Sequence, residues 1–102
     1  MDYSIRLDKD AKADLKSIYS FIRQSGGTAI TARGYINRIL SFIAGLTSFP
    51  ERGSPREHIR PGLRIIGFER RISIAFVIEG NTIVILRVLY AGRQFEAMPD
   101  TD

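Results

Sequence analysis

The sequence lacks cysteine altogether and contains a single histidine. Without cysteine the chain can form neither a disulfide framework nor a thiolate metal site, and it has no thiol nucleophile. Its longest apolar runs, such as residues 74–78, are far shorter than the roughly 20 residues that a membrane-spanning helix needs. Charged residues stand at positions 2 and 6, where the apolar core of a secretory signal would begin. We therefore expect one cytoplasmic domain over residues 1–102, with no membrane contact, metal or cofactor.

Lysine is absent after Lys16, although the chain has a net charge of +4. The basic residues of the second half are arginines, eight of them between Arg52 and Arg93 against three glutamates. Because a guanidinium forms paired hydrogen bonds with carboxylates and phosphates, this half is suited to an acidic partner. The alternative is that these arginines are solvated strand residues that discourage edge pairing.

Periodicity predicts one strand, two helices and then three strands. Residues 3–7 alternate as a strand does, and two amphipathic helices follow, separated by the glycines at positions 26 and 27. Helices joined by so short a linker should form a hairpin. The three later strands are predicted at residues 63–68, 71–78 and 82–90. The expected fold is α+β, with the N-terminal strand and helix hairpin packed on a twisted, mostly antiparallel sheet, and a tail that frays from about residue 97.

The register of the last hairpin decides where Arg87 lies. A two-residue loop at positions 80 and 81 would place Arg87 beside Ile74 on the core face, whereas a three-residue loop places it opposite Ser73. Because burying an unpaired guanidinium is costly, we prefer the second register, with Arg87 on the face away from the core. That face would then also carry Val77, Ile83, Ile85 and Leu89. So much apolar surface predicts a partner, although burial on both faces within the fold remains an alternative.

Several segments carry a recognisable combination of residues. They are Tyr3-Ser4-Ile5-Arg6-Leu7, Ala13-Asp14-Leu15-x-x-Ile18-Tyr19-x-x-Ile22, Leu46-x-x-Phe49-Pro50-x-x-Gly53, Arg56 with Gly62-Leu63-Arg64, and Ile83-x-Ile85-Leu86-Arg87-Val88-Leu89-Tyr90-Ala91-Gly92-Arg93. In this order they resemble the RelE/ParE superfamily of type II toxins over nearly the whole chain, closest to the ParE branch. The resemblance implies a plasmid-stabilization type of toxin, neutralised by a ParD-like antitoxin whose flexible, frequently acidic segment wraps around it in a hetero-oligomer.

Two toxin activities follow from the resemblance. RelE-like members are ribosome-dependent mRNA endonucleases, whereas ParE-like members bind DNA gyrase and trap it in a DNA-damaging state. The missing lysines count against a nuclease, as does Ser73, which stands where such toxins carry an arginine. His58, the lone histidine, lies in a loop without an identifiable orienting partner. Tyr90 keeps the nuclease open as an alternative, because some nuclease members end the last strand with a catalytic tyrosine; its candidate residues are Tyr90, Arg93 and His58.

The preferred hypothesis is gyrase inhibition by contact rather than catalysis, without sequence-specific nucleic-acid binding. Its candidate contact residues are Arg64, Arg87, Tyr90 and Arg93, although Arg64 and Arg87 could instead only pair with carboxylates of the sheet. The candidate antitoxin-binding residues are Tyr19, Arg23, Ile83, Ile85 and Leu89. An inactive homologue that only binds antitoxin is a further alternative.

Overall fold

A computed structural model describes residues 2–90, which form two α-helices and five strands. The helices are α1 (Lys9–Gln24) and α2 (Ala29–Ala44), and a 3₁₀ turn (Gly45–Thr47) extends α2. The strands are β1 (Ser4–Leu7), β2 (Ser54–Pro55), β3 (Arg64–Phe68), β4 (Ile72–Glu79) and β5 (Thr82–Tyr90). The predicted order is confirmed, with the short β2 as an addition. Arg93 and the predicted fraying of the tail lie outside the described residues.

The two helices begin and end where the local sequence favours it. Asp8 occupies the N-cap of α1 in an extended conformation, and α1 ends before Gly26, which has a φ of +100°. Thr28 caps α2, because its hydroxyl accepts a hydrogen bond of 3.1 Å from the backbone N–H of Thr31. Neither helix is long and apolar enough to cross a membrane.

The strands form one mixed sheet in the order β1-β5-β4-β3-β2, in which β1 is parallel to β5 and every other pair is antiparallel. Both helices pack on one face of this sheet. The main core lies between these two layers and consists of Ala11, Leu15, Ile18, Ile39, Ile43, Leu46, Ile72, Ile74, Phe76, Ile83, Ile85 and Val88. This arrangement confirms the predicted fold class.

The predicted register of the last hairpin is wrong. Strands β4 and β5 are joined by a two-residue loop and not by the predicted three-residue loop, since Glu79 pairs with Thr82. A β-bulge then shifts the pairing, so that Ile85 faces Phe76 but Arg87 faces Ala75, leaving Leu86 as the extra residue. Before the bulge the odd-numbered residues of β5 point into the main core, and after it the even-numbered Val88 does. The bulge therefore keeps Ile83 and Ile85 in the core without forcing Arg87 into it.

The apolar face that we expected to await a partner is covered by the chain itself. Ile83 and Ile85 belong to the main core and are 0% exposed, so their predicted position on the opposite face is wrong. The opposite face carries a second buried cluster, formed by Leu63, Ala75, Val77, Val84 and Leu86. Ile59, from the loop between β2 and β3, packs against this cluster. The alternative of burial on both faces is the correct one, and Ile59 of this loop covers part of the second face.

Candidate functional site

Tyr90, at the end of β5, lies at the junction of both helices and the sheet. Its ring makes edge contacts with Phe21 of α1, at 5.3 Å between ring centroids, and with Tyr35 of α2, at 6.0 Å. Phe21 remains 49% exposed. The three rings therefore form a partly accessible aromatic cluster at this end of the sheet.

Arg87 forms the most enclosed ion pair among the described residues. Its Nε and Nη2 donate hydrogen bonds of 2.7 and 2.9 Å to the two carboxylate oxygens of Asp14, on α1. The side chains of Arg87 and Asp14 are only 20% and 14% exposed. The hydrogen bond to Asp14, more than the burial that opposes it, raises the pKa of Arg87 above its usual range. Arg87 is therefore permanently charged and held in a fixed orientation.

Asp14 also binds the backbone of β5. The N–H of Val88 donates a hydrogen bond of 2.8 Å to Oδ2 of Asp14. Along the edge of β5 that faces β1, the last backbone hydrogen bond runs from the N–H of Asp8 to the carbonyl of Ile85, at 2.9 Å. Asp14 thus satisfies an amide of β5 beyond the end of its neighbouring strand.

A groove between α1 and β5 contains this ion pair and leads to Tyr90. We call it the α1–β5 groove. Its lining residues are Asp14, Lys16, Ser17, Ile18, Ser20, Phe21, Gln24, Arg87 and Tyr90. These residues combine two cations and one carboxylate with three hydroxyls, an amide and an exposed aromatic ring. These groups are suited to binding an acidic segment that also carries apolar side chains.

A second groove lies on the α2 side of Tyr90 and is lined in part by Tyr35, Arg38, Glu69 and Arg71. Arg38 donates two hydrogen bonds to the carboxylate of Glu69, at 2.9 and 3.2 Å, and its guanidinium lies 5.0 Å from the centre of the Tyr35 ring. Burial raises the pKa of Tyr35, and the neighbouring Tyr90 and Glu69 add to this effect. Tyr35 therefore keeps its phenolic proton at neutral pH.

The turn between β3 and β4 has an unusual backbone. Glu69 and Arg70 have φ angles of 50° and 66°, in the left-handed region that side chains disfavour. The Arg38 ion pair holds Glu69, and the N–H of Arg71 donates a 2.7 Å hydrogen bond to the Glu69 carbonyl. The turn is therefore braced from α2.

Arg64 and His58, both predicted as site residues, lie away from Tyr90. The Nη1 of Arg64 donates to the carbonyls of Glu51 and Arg52, at 3.1 and 3.4 Å, and so ties the loop before β2 to β3. His58 is exposed in the loop between β2 and β3. Among residues 2–90 Arg64 forms no ion pair with a carboxylate of the sheet, and Arg87 pairs with Asp14 of α1 instead.

The candidate antitoxin-binding residues fall into two groups. Tyr19 is half-buried and lines a groove between α1 and α2, whereas Arg23 is exposed at the end of α1. Ile83, Ile85 and Leu89 are buried, at 0%, 0% and 3% exposure. Their contact roles stay predictions, but the side chains of this second group offer almost no surface to a partner.

Sequence reasoning missed Asp14 and the second groove. Asp14 adjoins the buried stripe of Ala11, Leu15 and Ile18, and a carboxylate next to such a stripe is a signal for an ion pair within the fold. Arg38 and Glu69 are 31 positions apart and gave no such signal. Within residues 2–90, no group of three or more metal-ligating side chains is present.

Comparison with known proteins agrees with this architecture. Residues 5–95 match the model of the ParE toxin family of the type II toxin-antitoxin system parDE. The toxin ParE3 of Caulobacter vibrioides is 30% identical over 81 residues, which is 79% of each chain.

Two solved structures have a similar fold. A chain of the chromosomal ParDE toxin-antitoxin system from P. aeruginosa superposes with a TM-score of 0.74 at 28% identity, covering 87% of this chain and 96% of the other. A chain of the toxin-antitoxin complex RelBE2 from Mycobacterium tuberculosis, at 20% identity, has a TM-score of 0.62 over 88% of this chain and 99% of its own. This second likeness concerns the fold alone. With the match spanning nearly all of its described residues, the chain belongs to the ParE family of type II toxins.

Proposed function

We propose that this toxin inhibits DNA gyrase and is neutralised by a ParD-like antitoxin. The observation that carries the proposal is the match to the ParE toxin family over residues 5–95, because the ParE branch is the one that the sequence resemblance links to gyrase. The protein would act in the cytoplasm by contact and would trap gyrase on cleaved DNA. No catalytic step by the toxin itself is required.

The positions of the candidate nuclease residues support this choice. Tyr90 pairs with Ile72, which pairs with Phe68 at the end of β3. The loop that carries His58 adjoins the opposite end of β3. Four residues along a strand and two strands across separate these ends by roughly 15 Å. This separation at the level of the strands argues against a shared catalytic role for His58 and Tyr90.

One feature favours the nuclease as the second candidate. The groove on the α2 side of Tyr90 also contains Tyr35 and Arg71, and an arginine beside tyrosine hydroxyls could stabilise a phosphate. Tyr35 is a poor general base, since its raised pKa keeps it protonated. Ser73, on the neighbouring strand, supplies no charge. Glu69, the carboxylate of this groove, is bound by Arg38, which lowers its pKa and makes it a weak general base.

For the gyrase contact we propose the end of β5, with Arg87 and Tyr90 at its centre. Arg87 is fixed and charged, and Tyr90 belongs to the partly accessible aromatic cluster. An aromatic ring next to an oriented arginine is a frequent combination at energetically important contacts. Arg93 follows in the chain and Arg64 lies on β3; for both, the contact role remains part of the proposal.

For the antitoxin we propose the groove between the helices. Leu15 and Ile36 form its apolar part, and Lys16 and Arg33 lie beside Tyr19 along it. A helix or extended segment with acidic and apolar side chains would fit such a groove. Arg23, exposed near the end of α1, extends the basic character of this side. The resulting complex would be a hetero-oligomer of toxin and antitoxin.

The proposal is tested by a paired assay with purified toxin. One arm measures plasmid supercoiling by gyrase, and the other measures ribosome-dependent cleavage of mRNA. We expect loss of supercoiling, intact mRNA, and recovery of supercoiling when antitoxin is added. Cleavage of mRNA without an effect on gyrase would support the nuclease. Inertness in both arms, together with tight antitoxin binding, would identify an inactive homologue.

A further inference from the structure

The α1–β5 groove contains a guanidinium whose donors are only partly used by the protein. Arginine has N–H donors on Nε, Nη1 and Nη2, and Asp14 accepts from Nε and from Nη2. Within residues 2–90 no acceptor meets the remaining donors of Arg87, although its side chain is only 20% exposed. These donors face the open groove, where water can satisfy them and where a carboxylate that enters can take the place of that water.

Most of the acceptor capacity of Asp14 is used within the fold. Its Oδ2 accepts from both Arg87 and the backbone of Val88, and its Oδ1 accepts from Arg87. One carboxylate on α1 therefore fixes the end of β5 and the plane of the Arg87 guanidinium together. Such an arrangement reduces the conformational entropy that Arg87 would lose on binding a ligand.

We propose that Asp14 is a positioning residue, which presets Arg87 to bind one carboxylate of an acidic segment of the protein target in the α1–β5 groove. This inference rests on the proposed function and names the chemistry of the partner at that site. Around the ion pair, Lys16 provides an exposed cation, and Ser17 and Ser20 provide hydroxyl donors. Among the described lining residues Asp14 neutralises Arg87 and Lys16 adds one positive charge, which matches a single carboxylate.

The surroundings favour a protein segment over nucleic acid. Phe21, 49% exposed, lines the same groove and offers an apolar contact beside the charged one. Duplex DNA presents a phosphate charge about every 1.7 Å along its axis and is bound by rows of cations. Among residues 2–90 the cations that line the groove are Lys16 and Arg87, and Arg87 already shares its charge with Asp14. An acidic side chain next to an apolar one satisfies these groups better.

The test compares Asp14→Asn, Arg87→Lys, the double variant and the control Arg60→Lys, which lies in the exposed loop before β3. Each is assayed for gyrase inhibition at a temperature where thermal melting shows it folded. We expect Arg87→Lys and Asp14→Asn each to weaken inhibition about tenfold or more, since charge-assisted hydrogen bonds are lost. The double variant should be no weaker than Arg87→Lys alone, because Asp14 acts through Arg87. Arg60→Lys should inhibit as the parent does.

A second measurement needs no gyrase. The Nε–H resonance of Arg87 is followed by NMR while the toxin is titrated with an amidated peptide of alternating glutamate and leucine, or with a short DNA duplex. We expect the peptide to shift this resonance in the parent protein and not in Asp14→Asn. If the peptide shifts the Arg87 resonance but the toxin leaves gyrase unaffected, binding of an acidic segment in the groove is supported and the proposed function is refuted.

Three outcomes would overturn the inference. The first is gyrase inhibition by folded Asp14→Asn and Arg87→Lys at the level of the parent, which would leave the proposed function intact. The second is a shift of the Arg87 resonance with DNA and not with the peptide. The third is weaker antitoxin binding by the variants with unchanged gyrase inhibition, which would assign the groove to the antitoxin.

Discussion

Arg38 and Glu69 join the second helix to the turn between β3 and β4 through two hydrogen bonds, of 2.9 and 3.2 Å. The bond from Arg38 lowers the pKa of Glu69, which is otherwise near 4.5. A carboxylate with a lowered pKa in the folded state stabilises the protein above its unfolded pKa, and this contribution disappears as the pH falls through the folded value. The ion pair thus becomes a source of acid sensitivity at the turn.

We therefore expect Glu69→Gln to reduce the pH dependence of stability below about pH 4.5. Melting temperatures of the parent should fall more steeply from pH 5 to pH 3 than those of the variant. Near neutral pH the parent should be the more stable by the amount that it loses on acidification, and this amount should be small because solvent screens the exposed pair. Equal slopes for both proteins would show that the ion pair does not form in solution.

Replacement of Arg70 with glycine should stabilise the protein. Its φ of 66° is unfavourable for a side chain by about 1–2 kcal/mol, which glycine avoids, although glycine loses more entropy on folding. The free energy of unfolding of Arg70→Gly should rise by up to about 1 kcal/mol, measured by denaturant titration. Arg71→Gly is the matched control and should be destabilised. If both variants are destabilised alike, the left-handed conformation at position 70 is wrong.

Gly53 and Gly62 both have positive φ, at 83° and 79°, but differ in their surroundings. A Cβ at Gly53 would lie 2.6 Å from the carbonyl oxygen of Ile65, whereas one at Gly62 meets nothing within 4 Å. Gly62→Ala should cost about 1 kcal/mol through its backbone conformation alone. Gly53→Ala should cost at least about 1 kcal/mol more, because a backbone atom of β3 must move. Equal losses in denaturant unfolding would mean that β2 does not approach β3 as described.

Ile85 tests the corrected register. Its side chain is 0% exposed in the main core, so Ile85→Ala should reduce the free energy of unfolding by about 2–5 kcal/mol. Ile30→Ala is the control, because Ile30 is 77% exposed and its loss should change stability by about 0.5 kcal/mol or less. An Ile85→Ala variant as stable as the parent, but with weakened antitoxin binding, would restore the original prediction of a docking face.

The elements of the fold were predictable from the sequence because each follows from local periodicity. The helix stripe that includes Leu15 and Ile18, and the alternation along β4, are properties of adjacent residues. The pairing of β5 was not predictable in the same way. Its main-core residues are odd-numbered up to Ile85 and even-numbered at Val88. Both can face the same core only because of the bulge at Leu86. A uniform register places these two residues on opposite faces of the sheet, so it cannot bury both in the main core.

The candidate site was predictable only in part. The sequence indicated Arg87 and Tyr90, since a charged and an aromatic residue stood out at the end of an apolar strand. Their partners come from distant positions, with Asp14 lying 73 residues before Arg87. Such a pair depends on how α1 crosses the sheet, which a single sequence does not specify. The same holds for the cover of the second face by Ile59, because loop packing leaves no periodic pattern.

The central claim, that this ParE-family protein poisons gyrase, is tested most directly by the DNA that remains cleaved in a gyrase reaction. Purified toxin is titrated into gyrase, plasmid and ATP, the reaction is stopped with detergent and protease, and linear plasmid is quantified. We predict that linear DNA accumulates with toxin concentration and that prior addition of antitoxin abolishes it. Fully supercoiled plasmid at every toxin concentration, from protein shown to be folded, would contradict the claim.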